Sequence, residues 1–458
     1  MGRALVLTFV ALGLLSAAFA APAQAADRDI ITQELQAADG ADTTFKAYWK
    51  NGLNFKTSDG KFAMKISGRI QLDTWFYADS DLRDLVNGDD FDIDDFEFYS
   101  GAEFRRVRLA VIGDIYDYVA WKAQFDFAPS DTEFRDMYIR LHNLDKCWGC
   151  WFPDITMGHF KEYFSLEAMT SSKYTNFMER SMAVEAFAPL RNIGIGFDQT
   201  LWGGRFYYGL GWWSETPGEE EGKEIEFFRE RAQHVGGRLV FMPWAPCDCE
   251  SQFWQIGISG SYRYDAPIGY RFRTRPEIHL ADRTLDTGVL SAETCALFGL
   301  ETAFVYDRFK LQAEWMGAMP SLRGAERAVF GEDVTLHGGY VSAHYLLGGK
   351  GYSYKRRYQT FDKITPCSNF DCSGCGSWGA WELGIRWSHL DLTEVSEGKA
   401  DNFTVGINWY LNANTKIMFN YVYSDITNFR GIGNEPNFVG PSLDGEISAF
   451  GIRIQVFW

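Results

Sequence analysis

Positive charge is scarce in this sequence. Its 44 Lys and Arg stand against 61 Asp and Glu, and the resulting formal net charge of −17 argues against a nucleic-acid partner. Long apolar runs are scarce as well: after residues 4–20 no stretch reaches the ~18 residues expected of a membrane-spanning helix. Hydrolase signatures are missing, with no G-x-S-x-G and no H-E-x-x-H, and the seven His are scattered without pairing. No His follows Cys150, which excludes c-type haem attachment at Cys147-Trp148-Gly149-Cys150. No enzyme chemistry and no cofactor is therefore assigned. What is abundant is aromatic: 37 Phe, 22 Tyr and 16 Trp in a chain that is 46% hydrophobic. That content rules out a disordered polyanion, and its even spread exceeds what the core of an ordinary soluble enzyme uses.

Residues 1–25 read as a secretory signal, with Arg3 as the positive region, an apolar run over residues 4–20, and Ala23-Gln24-Ala25 as a cleavage site. Export without a transmembrane helix leaves the periplasm, the medium or the outer membrane. Side-chain alternation decides among them. A strand sends neighbours to opposite faces, so a wall between lipid and water reads apolar, polar, apolar. Phe62, Met64, Ile66, Ile70, Leu72 and Phe76 fall on one face of residues 62–76, and Lys65, Ser67, Arg69, Gln71 and Asp73 on the other. The last residues repeat it, with Phe450, Ile452, Ile454, Val456 and Trp458 against Gly451, Arg453 and Gln455.

The same period recurs near 103–114, 117–128, 133–142, 153–160, 192–200, 203–213, 233–242, 252–265, 297–306, 308–317, 334–347, 378–390, 401–411 and 415–425. The expectation is an all-β, 16-stranded antiparallel transmembrane β-barrel in the outer membrane of a Gram-negative bacterium. Residues 26–55 would form a short periplasmic segment and residues 56–458 the barrel. Short turns such as 113–116 alternate with long polar loops near 77–102, 161–191, 214–232, 266–296, 318–333 and 426–446. The connection 348–377 is too long for the short-turn side and breaks this rule.

The charges are sorted. Asp and Glu crowd into residues 79–97 and 215–226. The polar strand face instead carries Lys65, Arg69, Arg106, Arg108, Lys122, Arg140, Arg205, Arg238, Arg263, Lys310, Arg386 and Arg453, against Asp73, Asp126, Asp136, Glu301, Glu314 and Glu382. A water-filled lumen lined this way attracts anions, and the fixed fork of Arg suits phosphate oxygens. For any single cation, pairing with a lumen carboxylate is the blander explanation; the surplus as a set favours anion passage. Segment 161–191 lacks the strand period but carries Phe164, Leu166, Phe177 and Phe187. Folded inward, it would bury them and narrow the pore, with its Ser and Arg groups at the constriction.

Seven of the eight Cys fall in expected periplasmic turns: Cys147, Cys150, Cys247, Cys249, Cys367, Cys372 and Cys375. In an oxidising compartment they read first as local disulfides, with thiolate metal ligation as the sharper alternative and no metal assigned. The acidic loop lacks the Gly and closing Glu of an EF-hand and reads as solvated, bridged through divalent ions to the outer leaflet and its lipopolysaccharide.

Several stretches resemble the phosphate-selective porin O and P family. They are Gly158-His159-Phe160-Lys161-Glu162-Tyr163-Phe164-Ser165-Leu166-Glu167, Thr170-Ser171-Ser172, Phe177-Met178-Glu179-Arg180, Arg105-Arg106-Val107-Arg108-Leu109 and Asn408-Trp409-Tyr410-Leu411-Asn412. The resemblance implies an outer-membrane barrel, usually a homotrimer, that passes phosphate or similar small anions past an inward loop. It assigns Ser171, Ser172 and Arg180 to the constriction, with Arg106 and Arg108 from the second strand and either Asp126 or Asp136 as the acid. A Lys is expected shortly before the serine pair; position 168 is Ala, and Lys161 or Lys173 stands in its place. Arg69, Lys122, Arg140 and Arg453 complete the expected pore lining. The alternatives are a less selective porin for organic acids or sugars and a non-conducting structural barrel.

Overall fold

The computed structural model describes residues 44–80, 100–128, 132–215, 232–246, 251–264, 269–373, 376–395, 398–430 and 442–458. The chain divides into two units, residues 1–46 with 57–59 and residues 47–56 with 60–458. The first has described residues only at 44–46 and 57–59, so the expected signal peptide lies outside the described residues. The second is the barrel.

Sixteen strands build it: β1 (Phe62–Ser80), β2 (Gly101–Ile115), β3 (Val119–Asp126), β4 (Glu133–Leu141), β5 (Asp154–Lys161), β6 (Arg191–Leu201), β7 (Phe206–Ser214) and β8 (Gln233–Trp244) come first. They are followed by β9 (Gln252–Tyr264), β10 (Ala292–Tyr306), β11 (Phe309–Leu322), β12 (Leu336–Leu347), β13 (Ala380–Asp391), β14 (Lys399–Asn412), β15 (Thr415–Arg430) and β16 (Ser442–Phe457). Each strand pairs antiparallel with its neighbours in sequence. β16 returns to β1, with Ile454 opposite Leu72 and Arg453 opposite Asp73. The closed seam leaves no strand edge unpaired in lipid, which a bilayer demands. Trp458 finishes the closure by exchanging backbone hydrogen bonds with Gly68 at 3.0 and 3.1 Å. The two faces separate as the alternation requires: Ile454 is 48% exposed and its neighbour Arg453 fully buried.

The loop between β5 and β6 folds into the lumen and carries two short helices, α2 (Leu166–Met169) and α3 (Met182–Phe187), α1 (Asp145–Trp148) lying in the turn before β5. Phe164, Leu166, Phe177 and Phe187 are all buried. Each is worth on the order of 2 kcal/mol, which is why the loop stays inside. Tyr163 seats on a glycine floor: a Cβ on Gly209 would lie 2.7 Å from its ring and one on Gly196 2.7 Å from its hydroxyl. That hydroxyl donates to Asp198 Oδ1 at 3.0 Å.

Two further segments enter the lumen that periodicity did not place there. Residues 270–292 pack Phe272, Ile278, Leu285 and Leu290 against α3. The long connection 348–379 is indeed on the short-turn side, and it folds back into the barrel as a small hairpin, Tyr354 opposite Phe361. Its Tyr352, Tyr354, Phe361 and Ile364 join a buried cluster with Leu166 and Phe253, so its length supplies a lumen plug and adds no strand. The acidic runs at 81–97 and 216–226 lie outside the described residues.

Candidate functional site

The loops divide the barrel's cross-section. On the β10–β16 side the inward residues Leu297, Met316, Leu336, Met418 and Val422 pack on α3 and close the space. On the β1–β7 side the inward residues are charged, and a cavity of about 870 Å³ remains, lined from Arg271 and Arg283 past Arg69 and Ser172 to Lys355 and Tyr358 of the returning hairpin. Fifteen Arg and Lys line it against six Asp and Glu, so the pore wall is cationic in a chain whose net charge is −17.

Ten of the twelve expected pore residues line this cavity: Arg69, Arg106, Arg108, Lys122, Arg140, Asp136, Lys161, Ser171, Ser172 and Arg180. At its centre Arg69 Nη1 donates to Ser172 Oγ at 2.6 Å, and Gln71 Nε2 holds the Ser172 carbonyl at 3.1 Å. Lys161 donates to the carbonyls of Ala168, Met169 and Thr170, and Arg180 to those of Glu167, Ala168 and Thr170. Both cations therefore brace the loop, at the C-terminal end of α2 where its carbonyls are free. Lys161 lines the cavity with the serine pair, whereas the ammonium of Lys173 lies off that wall by the rings of Tyr174 and Phe457. Among the described residues Arg69, Lys161 and Arg180 have no carboxylate within ion-pair distance.

The remaining cations are shared. Lys122 and Arg191 both pair with Asp136, Arg191 Nε at 2.6 Å. Arg140 reaches Asp198 at 2.7 Å and Asp154 at 2.9 Å, and Arg357 of the hairpin grips the same two carboxylates at 3.0 and 2.6 Å. This four-charge knot fastens the hairpin to the wall. Loop residue Glu179 accepts from Arg105 and Arg453. Burial pushes its carboxyl upward, but Arg105, Arg106 and Arg453 hold it well below the usual carboxylate range.

Two expected pore residues are corrected. Asp126 does not line the cavity, accepting instead from Arg108 Nε at 2.5 Å and from the Val107 amide at 3.1 Å; of the two candidate acids Asp136 is the one on the cavity wall. Arg453 is fully buried in a bidentate pair with Asp73 at 2.6 and 2.5 Å. It anchors the loop through Glu179 and the Met178 carbonyl. Arg238, paired with Glu301, and Arg386, paired with Glu277, are buried in the same manner. The blander pairing explanation holds for these three, each buried and absent from the cavity wall. Of the cysteines, Cys147, Cys150, Cys367 and Cys372 are exposed free thiols. The expected local bridge Cys147–Cys150 is not formed. Cys247, Cys249 and Cys375 lie outside the described residues.

Residues that alternation alone assigned elsewhere owe their place to β-bulges. Gln71 opposes Arg106 and Leu72 opposes Phe104, so Arg105 is extra and turns inward beside Arg106. A second register shift, between Ala123 and Phe125, does the same for Arg135 beside Asp136. Arg271, Arg273 and Arg275 enter from the 270–292 segment. Their every-second-residue spacing was the one signal in the sequence that could have found them.

The model of the phosphate-selective porin O and P family matches residues 65–430. Porin O of Pseudomonas aeruginosa is 26% identical over 439 residues, 88% of this chain and 92% of that protein. A protein of Caulobacter vibrioides is 28% identical over 385 residues, 81% of this chain and 70% of that one. Among solved structures, an anion-selective porin from Comamonas acidovorans superposes with a TM-score of 0.51 at 12% identity, covering 87% of this chain and all of that one; at such identity it speaks for the fold alone. A closed barrel, an inward loop and a family match across most of the strands agree: the chain is an outer-membrane porin and belongs to the phosphate-selective porin O and P family.

Proposed function

We propose that the protein is an anion-selective diffusion channel for small oxyanions, phosphate foremost, assembled as a homotrimer. The observation that carries this reading is the cluster of Arg69, Lys161 and Arg180 around Ser171 and Ser172, cations whose partners are hydroxyls and carbonyls in a cavity already rich in Arg. Guanidinium, ammonium and hydroxyl donors converging on one space suit a tetrahedral oxyanion with several acceptor oxygens. Selectivity follows from the sign of the wall, and throughput from a succession of moderate contacts in place of one deep well. Family membership supports passage of phosphate and a trimeric assembly. Planar-bilayer reversal potentials in a salt gradient test the first step, with anion preference expected. Phosphate should then reduce the chloride current at concentrations where an equally sized neutral solute does not. Cation preference would overturn the proposal, and chloride current indifferent to phosphate would reduce it to a general porin for small organic acids or sugars. Unheated gel migration and cross-linking report the trimer.

A further inference from the structure

One cavity carboxylate differs from the rest in what it does to the arginines. Glu179 sits on the inward loop, outside any strand. Arg105 grips it with both ends of its fork, Nε to Oε1 at 2.9 Å and Nη2 to Oε2 at 3.1 Å. Arg453 Nη2 reaches Oε1 at 2.7 Å, and Arg106 Nη2 stands 3.6 Å from Oε2. Arg453 already has Asp73. Arg105 and Arg106 do not share such a partner: among the described residues neither has another carboxylate within ion-pair distance, and Arg106 is otherwise held by the Gln71 amide oxygen at 3.0 Å. Both line the cavity. Two wall arginines thus take their paired negative charge from one loop side chain, with the two-oxygen geometry by which guanidinium groups hold small oxyanions.

We propose that Glu179 is a tethered counter-anion: its carboxylate fills an oxyanion station between Arg105 and Arg106 and so sets how long a permeating anion is held there. The inference rests on the oxyanion-channel reading above. A conducting pore must hold its ion firmly enough to admit it and loosely enough to release it. Arg105 and Arg106 left open, in a wall shielded from bulk water, would form a trap for a multivalent oxyanion. A carboxylate on the same chain competes at the high effective concentration of an attached ligand, and it weakens that trap without removing the positive field around it.

The test is the half-blocking concentration of phosphate against chloride current in planar bilayers, measured for native protein, Glu179→Asp and Glu179→Gln. Gln keeps the shape and loses the charge, so E179Q should lower the half-blocking concentration about tenfold, which converts to ~1.4 kcal/mol, and lower the saturating current as dwell times lengthen. E179D withdraws the carboxylate by one methylene and should shift it the same way by a smaller factor. Should E179Q fail to assemble, the E179D shift decides alone. Unchanged half-blocking concentrations, or a rise in conductance with no tighter block, would overturn the role of Glu179 and mark it as a loop brace. Native chloride current that ignores phosphate would instead overturn the oxyanion reading beneath it.

Discussion

Lys173 shows how position alters a side chain's chemistry. It lies on the inward loop between the rings of Tyr174 and Phe457, at 5.4 and 5.3 Å. Burial pushes its ammonium down to about 7, and Arg69, Lys122, Lys355 and Lys65 push the same way. The charged form is thus present below about pH 7 and lost as the pH rises through that value. Lys173 does not line the cavity, but its charge acts on Arg69 and Lys122, which do, so the anion-to-cation permeability ratio should fall between about pH 6 and 8, and Lys173→Met should remove the step; reversal potentials across that range are the measurement. The sequence presented Lys161 and Lys173 as equal substitutes for a lysine before the serine pair. Nothing in local spacing distinguishes them, because the choice depends on which way the folded loop turns each side chain.

The inward loop is held from the far wall. Glu314 of β11 accepts from the amides of Leu166 at 2.9 Å and Glu167 at 2.7 Å, and from the Tyr340 hydroxyl at 2.7 Å. Lys416 reaches the Thr175 carbonyl at 2.7 Å, and Asn408 that of Asn176 at 2.7 Å. Glu314→Ala leaves two buried amides unpaired, at about 1–3 kcal/mol each. Single-channel recordings should show larger, noisier unit conductance with anion preference retained, since Arg69, Arg106, Arg108, Lys122 and Arg140 line the cavity from strands that the substitution leaves in place. That the loop folds inward was legible from Phe164, Leu166, Phe177 and Phe187. Its moorings were not, because each joins residues more than a hundred positions apart.

Across the whole molecule, cations of the same strand face meet two fates. Arg69, Arg106, Arg108, Lys122 and Arg140 line the cavity; Arg238, Arg386 and Arg453 are buried in ion pairs away from it and serve the fold. Arg453→Met should leave Asp73, fully buried, without its partner. Breaking a pair so enclosed costs about 3–5 kcal/mol, which should appear as a lowered thermal transition of the folded barrel in detergent. A surface or pore role for Arg453 would leave that transition unmoved. Counting twelve bases against six acids on one face agrees in sign with the residues that line the cavity, although most of those beyond β5 are buried away from it.

Alternation of apolar and polar side chains was enough, without coordinates, to determine the barrel, its sixteen strands and its outward apolar face, because a pleated strand in lipid has to obey period two. The family resemblance added the expectation that Ser171 and Ser172 stand at the constriction. What remained for tertiary structure was everything that period two does not encode. Bulges brought Arg105 and Arg135 inward, the 270–292 and 348–379 segments filled part of the lumen, and packing determined which cations keep water. Those outcomes depend on which surfaces meet across the barrel, and side chains distant in sequence settle that only once the cylinder closes.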